Sequence, residues 1–415
     1  MKPPATRNRD GTGLHVETRA YIDAVPTAYR KSLGQYFTPE ALREELIRQV
    51  PLRAGLRVLD PGVGTGEFLA SLDRTGVPLD LHGWDVDAGV LEVARRVVPG
   101  ARLEERDALA SYDGERFDLV IGNPPYYEVR GRPELRDRFR DVIGGRPNIF
   151  AMFFQVGLSV LRDGGHLAFV VPPSMNNGAY FDRLRSTITS HAAVRYLKVI
   201  PNGRLFAGAQ QAVQLLVLEK GARSEAHLFR RTIGSPGLFG RPHERVVFCE
   251  DPAELEGQFA GRRTLFDLGY RAVTGRCVWN QNRSNLRREP EPEACPLIWA
   301  HNIAGDRLEL LEDHRRPQYV VGQRPLTGPA IVVNRITGTV GTGELRAAAV
   351  PKGMEFVGEN HVNVVVRREN AKPLVPWRRL LTALRAPGVT ERVRRLTGNT
   401  QISATELTHL LPLDA

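Results

Sequence analysis

Between residues 56 and 220 short apolar runs alternate with stretches whose apolar positions recur at helical spacing. That rhythm predicts an α/β domain built on a mainly parallel sheet. The strand candidates are Leu56–Asp60, Leu79–Asp85, Leu103–Asp107, Phe117–Ile121, His166–Val171, Val194–Ile200 and Ala212–Glu219, with helices near 66–74, 88–97, 149–162 and 178–190. Phe150, Phe153, Phe154, Leu158 and Leu161 share one helical face that stops at Gly164-Gly165, so the phenylalanines read as plain core. The last two strands, joined by Pro201–Gln211, read as a hairpin at one edge of the sheet. After about residue 245 the rhythm ends, and short β-like runs such as Ala330–Val333 and His361–Val366 are interleaved with Gly, Pro and Asn. The expected organisation is an N-terminal arm over 1–30, an α/β domain over 31–245 and a mixed, β-rich domain over 246–415.

Composition adds limits. With 42% hydrophobic and 25% charged residues in a chain of 415, wholesale disorder and fibrous repeats are excluded and two or three domains are expected. No run of about 18 apolar residues is present and the first twenty residues lack the apolar stretch of a secretory signal, so a soluble, cytoplasmic protein with no membrane partner is expected. Cys249, Cys277 and Cys295 are spaced for neither a zinc site nor a disulfide framework, and no metal is expected. The net charge of +10 rests almost wholly on Arg, whose fork suits phosphate oxygens. It is spread over the chain, with 34 basic against 28 acidic residues up to residue 245 and 23 against 19 beyond. Local clusters must therefore carry the chemistry.

Leu56 to Asp60 is a buried-strand pattern that ends in an acid, followed by the turn Pro61-Gly62-Val63-Gly64-Thr65-Gly66 and a helix. Glycines there let the backbone pass close to a ligand at the carboxyl end of the first strand, where doubly wound sheets bind nucleotides. The spacing G-x-G-x-G behind an acid is more usual for S-adenosylmethionine than for a pyrophosphate, and the Lys-Ser/Thr of a P-loop is absent. Asp85 ends the second strand where a ribose diol would be held, next to Val86, and Asp107-Ala108 closes the third, where a carboxylate could accept from an adenine amine. One such acid is an ordinary strand-end residue. Three at successive strand ends point to a nucleoside.

The fourth strand ends in Gly122-Asn123-Pro124-Pro125-Tyr126. Two prolines stiffen the backbone and remove two donors, so the Pro124 carbonyl and the Asn123 side-chain oxygen can converge as acceptors beside an exposed aromatic ring. A planar amine donating to both is steered toward a pyramidal nitrogen whose freed lone pair can attack a methyl in line with a sulfonium.

These two motifs together resemble the amino-methyltransferases that use S-adenosylmethionine. The upstream Gly34-Gln35-Tyr36-Phe37-Thr38-Pro39 is similar to the cofactor-covering segment of the gamma-class, TaqI-like N6-adenine DNA methyltransferases of type II restriction–modification systems. The resemblance implies a Rossmann-like methyltransferase domain with a mostly parallel seven-stranded sheet, followed by a DNA target recognition domain. It implies that Gln35, Tyr36, Phe37 and Thr38 line the methionine end of the cofactor and that Asp60, Gly62, Gly64 and Gly66 surround its carboxylate and backbone. Asp85 with Val86 would take the ribose, Asp107 and Ala108 the adenine ring. Asn123 and Pro124, stiffened by Pro125, would bind the target amine, Tyr126 would stack on the target base, and Phe206 would meet its other face.

In the second domain Gly269–Arg288 holds Arg271, Arg276, Arg283, Arg287 and Arg288 with no acid among them, mixed with Tyr270, Trp279 and several amides. That mixture suits phosphate positioning and base-edge reading. Arg367 to Arg395 carries nine basic residues against Glu369 and Glu391 and reads as a helix face toward a duplex. The expected activity is methyl transfer to N6 of a flipped adenine in double-stranded DNA by a monomer, with any cognate restriction endonuclease on a separate chain. The alternatives are methylation of a planar amine in RNA or protein, guanine N2 or glutamine, and a catalytically silent DNA-binding relative.

Overall fold

The structure, a computed structural model, describes residues 13–145, 148–200, 212–233, 243–305, 307–311, 315–335, 344–397 and 401–415. The chain divides into two compact units, one drawn mainly from residues before 231 and the other mainly from residues after 252.

The first unit is a seven-stranded sheet. Its strands are β1 (Arg57–Asp60), β2 (Asp80–Asp85), β3 (Arg102–Glu105), β4 (Phe117–Gly122), β5 (Leu161–Val171), β6 (Ala192–Ile200) and β7 (Val213–Lys220), in the spatial order β3-β2-β1-β4-β5-β7-β6. All neighbours pair in parallel except β7, which runs antiparallel to both β5 and β6. The edge pair expected of the last two strands is therefore present, with β7 threaded inside β6; the expected hairpin tip, 201–211, lies outside the described residues.

The helices are α1 (Val16–Ala24), α2 (Thr27–Ser32), α3 (Glu40–Arg48), α4 (Glu67–Asp73), α5 (Ala88–Val97), α6 (Pro133–Arg138), α7 (Ile149–Val160) and α8 (Asp182–His191). Alternate strand residues feed two cores. Leu59, Val120, Leu167 and Phe169 face a cluster that includes Phe150 and Phe154 of α7. Val58, Leu119, Ile121, Ala168 and Val170 face a second one with Leu46 of α3, Leu69 of α4 and Leu91 of α5. This period of two, buried on both faces, is what a central parallel strand requires.

Two sequence expectations shift. The α7 helix ends at Val160 rather than at Gly164-Gly165, and those glycines lie inside β5. At Gly165 a Cβ would stand 2.9 Å from the Arg162 carbonyl oxygen and 3.0 Å from that of Asp118, so this glycine allows close strand approach instead of capping a helix. The residues read as an arm are also partly built in, because α1 and α2 belong to the first unit and Thr18 is fully buried.

The second unit is mixed and β-rich. Tyr270–Thr274, Val362–Arg367, Ala330–Asn334 and Ala347–Val350 form a four-stranded antiparallel sheet, with a short-stranded five-membered sheet beside it in the same unit. Helices Trp377–Arg385, Val389–Thr397 and Ala404–His409 pack on the first of these through Leu380, Leu384, Val393 and Leu407. No helix among the described residues is long and apolar enough to cross a membrane.

Candidate active site

Strand order reverses between β1 and β4, and in such sheets the crevice outside the carboxyl ends of those strands is where a ligand fits. A cavity of about 260 Å³ opens there. Its walls include Gln35 to Thr38, Asp60, Gly62, Gly64, Asp85, Val86, Asp107, Ala108, Asn123 and Pro125, residues from five separate stretches of sequence.

The glycine-rich turn is shaped by its own amides. Gly62 N–H donates to Asp60 Oδ1 at 3.1 Å, Val63 N–H to the Trp84 carbonyl at 2.9 Å and Gly64 N–H to Asp85 Oδ2 at 2.9 Å. Gly64 and Gly66 sit at φ +52° and +83°, a region that penalises a side chain. Gly66 does not reach the cavity. It starts α4, and a Cβ on it would stand 2.9 Å from Val98.

Asp60 is 2% exposed, and burial, with the Asp85 carboxylate adding to it, pushes its carboxyl up to about 8; the Gly62 hydrogen bond opposes this. Burial also raises Asp85. Both Asp85 oxygens already accept backbone N–H groups, from Gly64 and from Asp87 at 3.0 Å, which aims the carboxylate while leaving each oxygen a further lone pair. Asp107 Oδ1 accepts from Leu109 N–H at 2.9 Å, and Arg132 lies 3.7 Å from Oδ2, a cation the sequence reading did not foresee.

The Asn-Pro-Pro-Tyr segment follows β4. Gly122 permits it, since a Cβ there would stand 2.5 Å from Asp60 Oδ1. Asn123 Nδ2 donates to the Tyr36 carbonyl at 3.2 Å, and Asn123 Oδ1 accepts from the Tyr126 hydroxyl at 2.6 Å. The exposed ring expected of Tyr126 is instead half-buried. It meets Phe150 edge-on at 6.2 Å, and its hydroxyl also lies 2.6 Å from the Val170 carbonyl oxygen, so burial holds the phenol well above its usual range. Asn123 and Pro125 line the cavity, whereas Pro124 and Tyr126 are not part of its wall.

Several wall residues escaped the sequence reading. Phe153, read as plain core, lines the cavity and would touch a Cβ at Gly62 at 3.4 Å; its helical periodicity hid it among true core residues such as Phe150. Tyr127, one residue past the motif, was an available signal. The anchoring of the turn was not: Thr18 Oγ1 donates to Thr65 Oγ1 at 3.0 Å, His15 N–H to Glu67 Oε1 at 2.7 Å, and buried Arg43 pairs with Glu67 at 2.9 Å.

The donor set fits S-adenosylmethionine. The buried Asp60 carboxyl and the half-buried Asp85 carboxyl, both shifted against ionisation, suit a ligand with positive charge, Val86 is an exposed apolar face at 56%, and the buried Thr38 Oγ1 has no hydrogen-bond partner among the described residues. Asp60 with Thr38 would hold the amino-acid end, Asp85 the ribose hydroxyls and Asp107 the adenine amine.

In the second unit the five arginines are not equivalent. Arg271 lies 3.4 Å from Glu369 and Arg287 2.8 Å from Glu291, so acids outside the stretch engage two of them. Arg283 stacks over Trp279 at 5.4 Å, and Arg276 and Arg288 are exposed. Arg392 pairs with Asp414 and Arg395 with Glu391, which uses part of the second basic cluster internally. Phe206 lies outside the described residues.

Residues 95–206 match the Eco57I restriction-modification methylase family. The type II methyltransferase M.TthHB8I of Thermus thermophilus is 26% identical, over 70% of this chain and 70% of its own length. M.BsuBI of Bacillus subtilis is 23% identical, over 95% of this chain and 90% of its own. Among solved structures, the type IIG restriction endonuclease BpuSI overlays 91% of this chain and 58% of its own with a TM-score of 0.44 at 11% identity. Over most of its length the chain is thus similar to type II methyltransferases, and over residues 95–206 to a restriction-modification methylase family.

Proposed function

We propose that the chain methylates N6 of an adenine turned out of double-stranded DNA, as the modification half of a restriction–modification system whose nuclease is a separate polypeptide. The observation that carries this is the position of Asn123: at the end of β4, on the cavity wall, with its amide nitrogen engaged and its oxygen presented as an acceptor. Among the described residues nothing donates to the Pro124 carbonyl, which supplies the second acceptor.

S-adenosylmethionine supplies an electrophilic methyl group on a sulfonium. Asn123 Oδ1 and the Pro124 carbonyl accept the two N–H bonds of the target amine and draw its lone pair out of conjugation. The amine nitrogen would form the new N–C bond as the S–C bond of the bound cofactor broke, with that electron pair left on sulfur. The methylated nitrogen then loses one proton to water, so no side-chain base is required. Tyr126 and Tyr127 provide aromatic faces for a flat base removed from its stack. In this reading Arg276, Arg283 and Arg288 of the second unit contact the duplex, Arg271 and Arg287 join them on exchanging carboxylate for phosphate, and the protein acts as a monomer.

The test is transfer from labelled S-adenosylmethionine to unmodified plasmid, followed by nucleoside analysis. N6-methyladenine from the wild type and none from Asn123→Ala is the expected result. N4-methylcytosine would overturn the adenine assignment, and label in RNA or protein alone would overturn DNA as substrate.

A further inference from the structure

The Gly34–Thr38 segment touches both halves of the chemistry. At its cofactor side, Gln35 Nε2 donates to Asp87 Oδ2 at 3.2 Å and Gln35 Oε1 accepts from the Tyr21 hydroxyl at 2.9 Å. The Asp87 N–H is in turn held by Asp85 Oδ1 at 3.0 Å. At its target side, the Tyr36 carbonyl accepts from Asn123 Nδ2. Gly34, at φ +66°, brings the two pieces together, since a Cβ there would stand 2.7 Å from Pro125 Cβ and 3.1 Å from the Tyr127 ring.

An asparagine amide has an accepting end and a donating end. Turned over, it would set its NH₂ against the NH₂ of the target, donor against donor. The Tyr36 carbonyl can only accept, so its contact admits only the NH₂ end and leaves the oxygen to face the substrate. The Tyr126 hydroxyl has one proton and two acceptors at 2.6 Å, Asn123 Oδ1 and the Val170 carbonyl. It can satisfy the asparagine oxygen while no amine is there and keep Val170 when one arrives.

We propose that the contacts Asp85–Asp87–Gln35–Tyr36–Asn123 couple cofactor occupancy to alignment of the target amine, with the Tyr36 carbonyl positioning the Asn123 amide and the Tyr126 hydroxyl holding its oxygen until the amine displaces it. The inference rests on the DNA reading above. A cofactor ribose on Asp85 restrains Asp87 and Gln35, which steadies Tyr36 and hence Asn123. The coupling must be reciprocal, so a bound target base tightens the cofactor by the same factor.

The test uses the full chain as wild type, Gly34→Ala, which pushes the segment off Pro125, and Tyr21→Phe, which keeps the ring against Phe37 but releases Gln35. The site is first mapped on methylated plasmid. Affinity is then measured for a duplex carrying adenine at the target position, with and without S-adenosylhomocysteine. Wild type should bind about tenfold more tightly with the nucleoside present. That factor should fall toward unity in Gly34→Ala and by about half its logarithm in Tyr21→Phe, with kcat lowered more than the KM for cofactor is raised. Independent binding of the two ligands by wild type, or undiminished coupling in Tyr21→Phe, overturns the proposal. A protein that binds S-adenosylhomocysteine but neither methylates nor binds any duplex overturns the DNA reading, and this inference with it.

Discussion

Asp60 should make cofactor binding release a proton. Its carboxyl is 2% exposed, opposed by the Asp85 carboxylate and held by one Gly62 N–H, and burial leaves it titrating near 8. At pH 7 about nine-tenths of the free protein carries this proton. An ammonium placed beside it favours the carboxylate, so the proton leaves on binding. The sign follows: the bound state holds fewer protons, and affinity rises with pH until Asp60 is already ionised in the free protein. Between pH 6 and 8 the association constant should rise about fifty-fold, nearly tenfold per unit at first and flattening at the top. Calorimetry at pH 7 in two buffers of different ionisation enthalpy should count about 0.9 proton released per S-adenosylhomocysteine bound. Asp60→Asn should abolish both the slope and the proton. Because the folded pKa is raised from 3.8, ionisation of Asp60 also costs the free protein stability, beginning above pH 4 and complete above about 8. The same substitution should therefore raise the Tm of the free protein at pH 8.5 while weakening the cofactor. A wild-type affinity flat from pH 6 to 8, with no proton released, would refute the reasoning.

Gly122→Ala places a methyl 2.5 Å from Asp60 Oδ1 and should cost about 1–3 kcal/mol in denaturant unfolding together with a loss of cofactor affinity. Unchanged unfolding and affinity would show that β4 relaxes freely. Arg43→Met removes the partner of Glu67 and the donor to the Gly13 carbonyl and Ser71, and should destabilise by about 3–5 kcal/mol; Arg43→Met with Glu67→Gln should recover part of this. If the double variant unfolds no later than the single one, the buried charge is not the cause. Asp85→Asn keeps the shape but removes the anion, and should weaken S-adenosylhomocysteine by roughly tenfold or more by calorimetry. Equal affinity in the variant would remove Asp85 from the ribose site.

The seven strands and the two motifs were legible because each depends on local order. Val58/Leu59 and Leu119/Val120/Ile121 alternate between two cores, and that period is written in adjacent residues. The acid-and-glycine turn and Asn123 to Tyr126 fall at strand ends because an apolar run must stop where the backbone leaves the sheet. The same reading misplaced the end of α7, since Gly164-Gly165 punctuates a helix and permits close strand approach equally well. It also took Phe153 for core, because a buried face and a cavity wall share one periodicity.

What the sequence by itself determined is thus the strands, their mainly parallel arrangement and the chemical types gathered at their ends. The tertiary structure alone decided how those residues are held. Arg43 on Glu67, Thr18 on Thr65 and Tyr36 on Asn123 join positions 24 to 87 residues apart, and nothing local records such a pairing. Asp60 is an ordinary strand-end acid in the sequence. Only its enclosure, with Gly122 against one oxygen and Asp85 nearby, removes the water that would keep it charged and turns it into a group that awaits a cation.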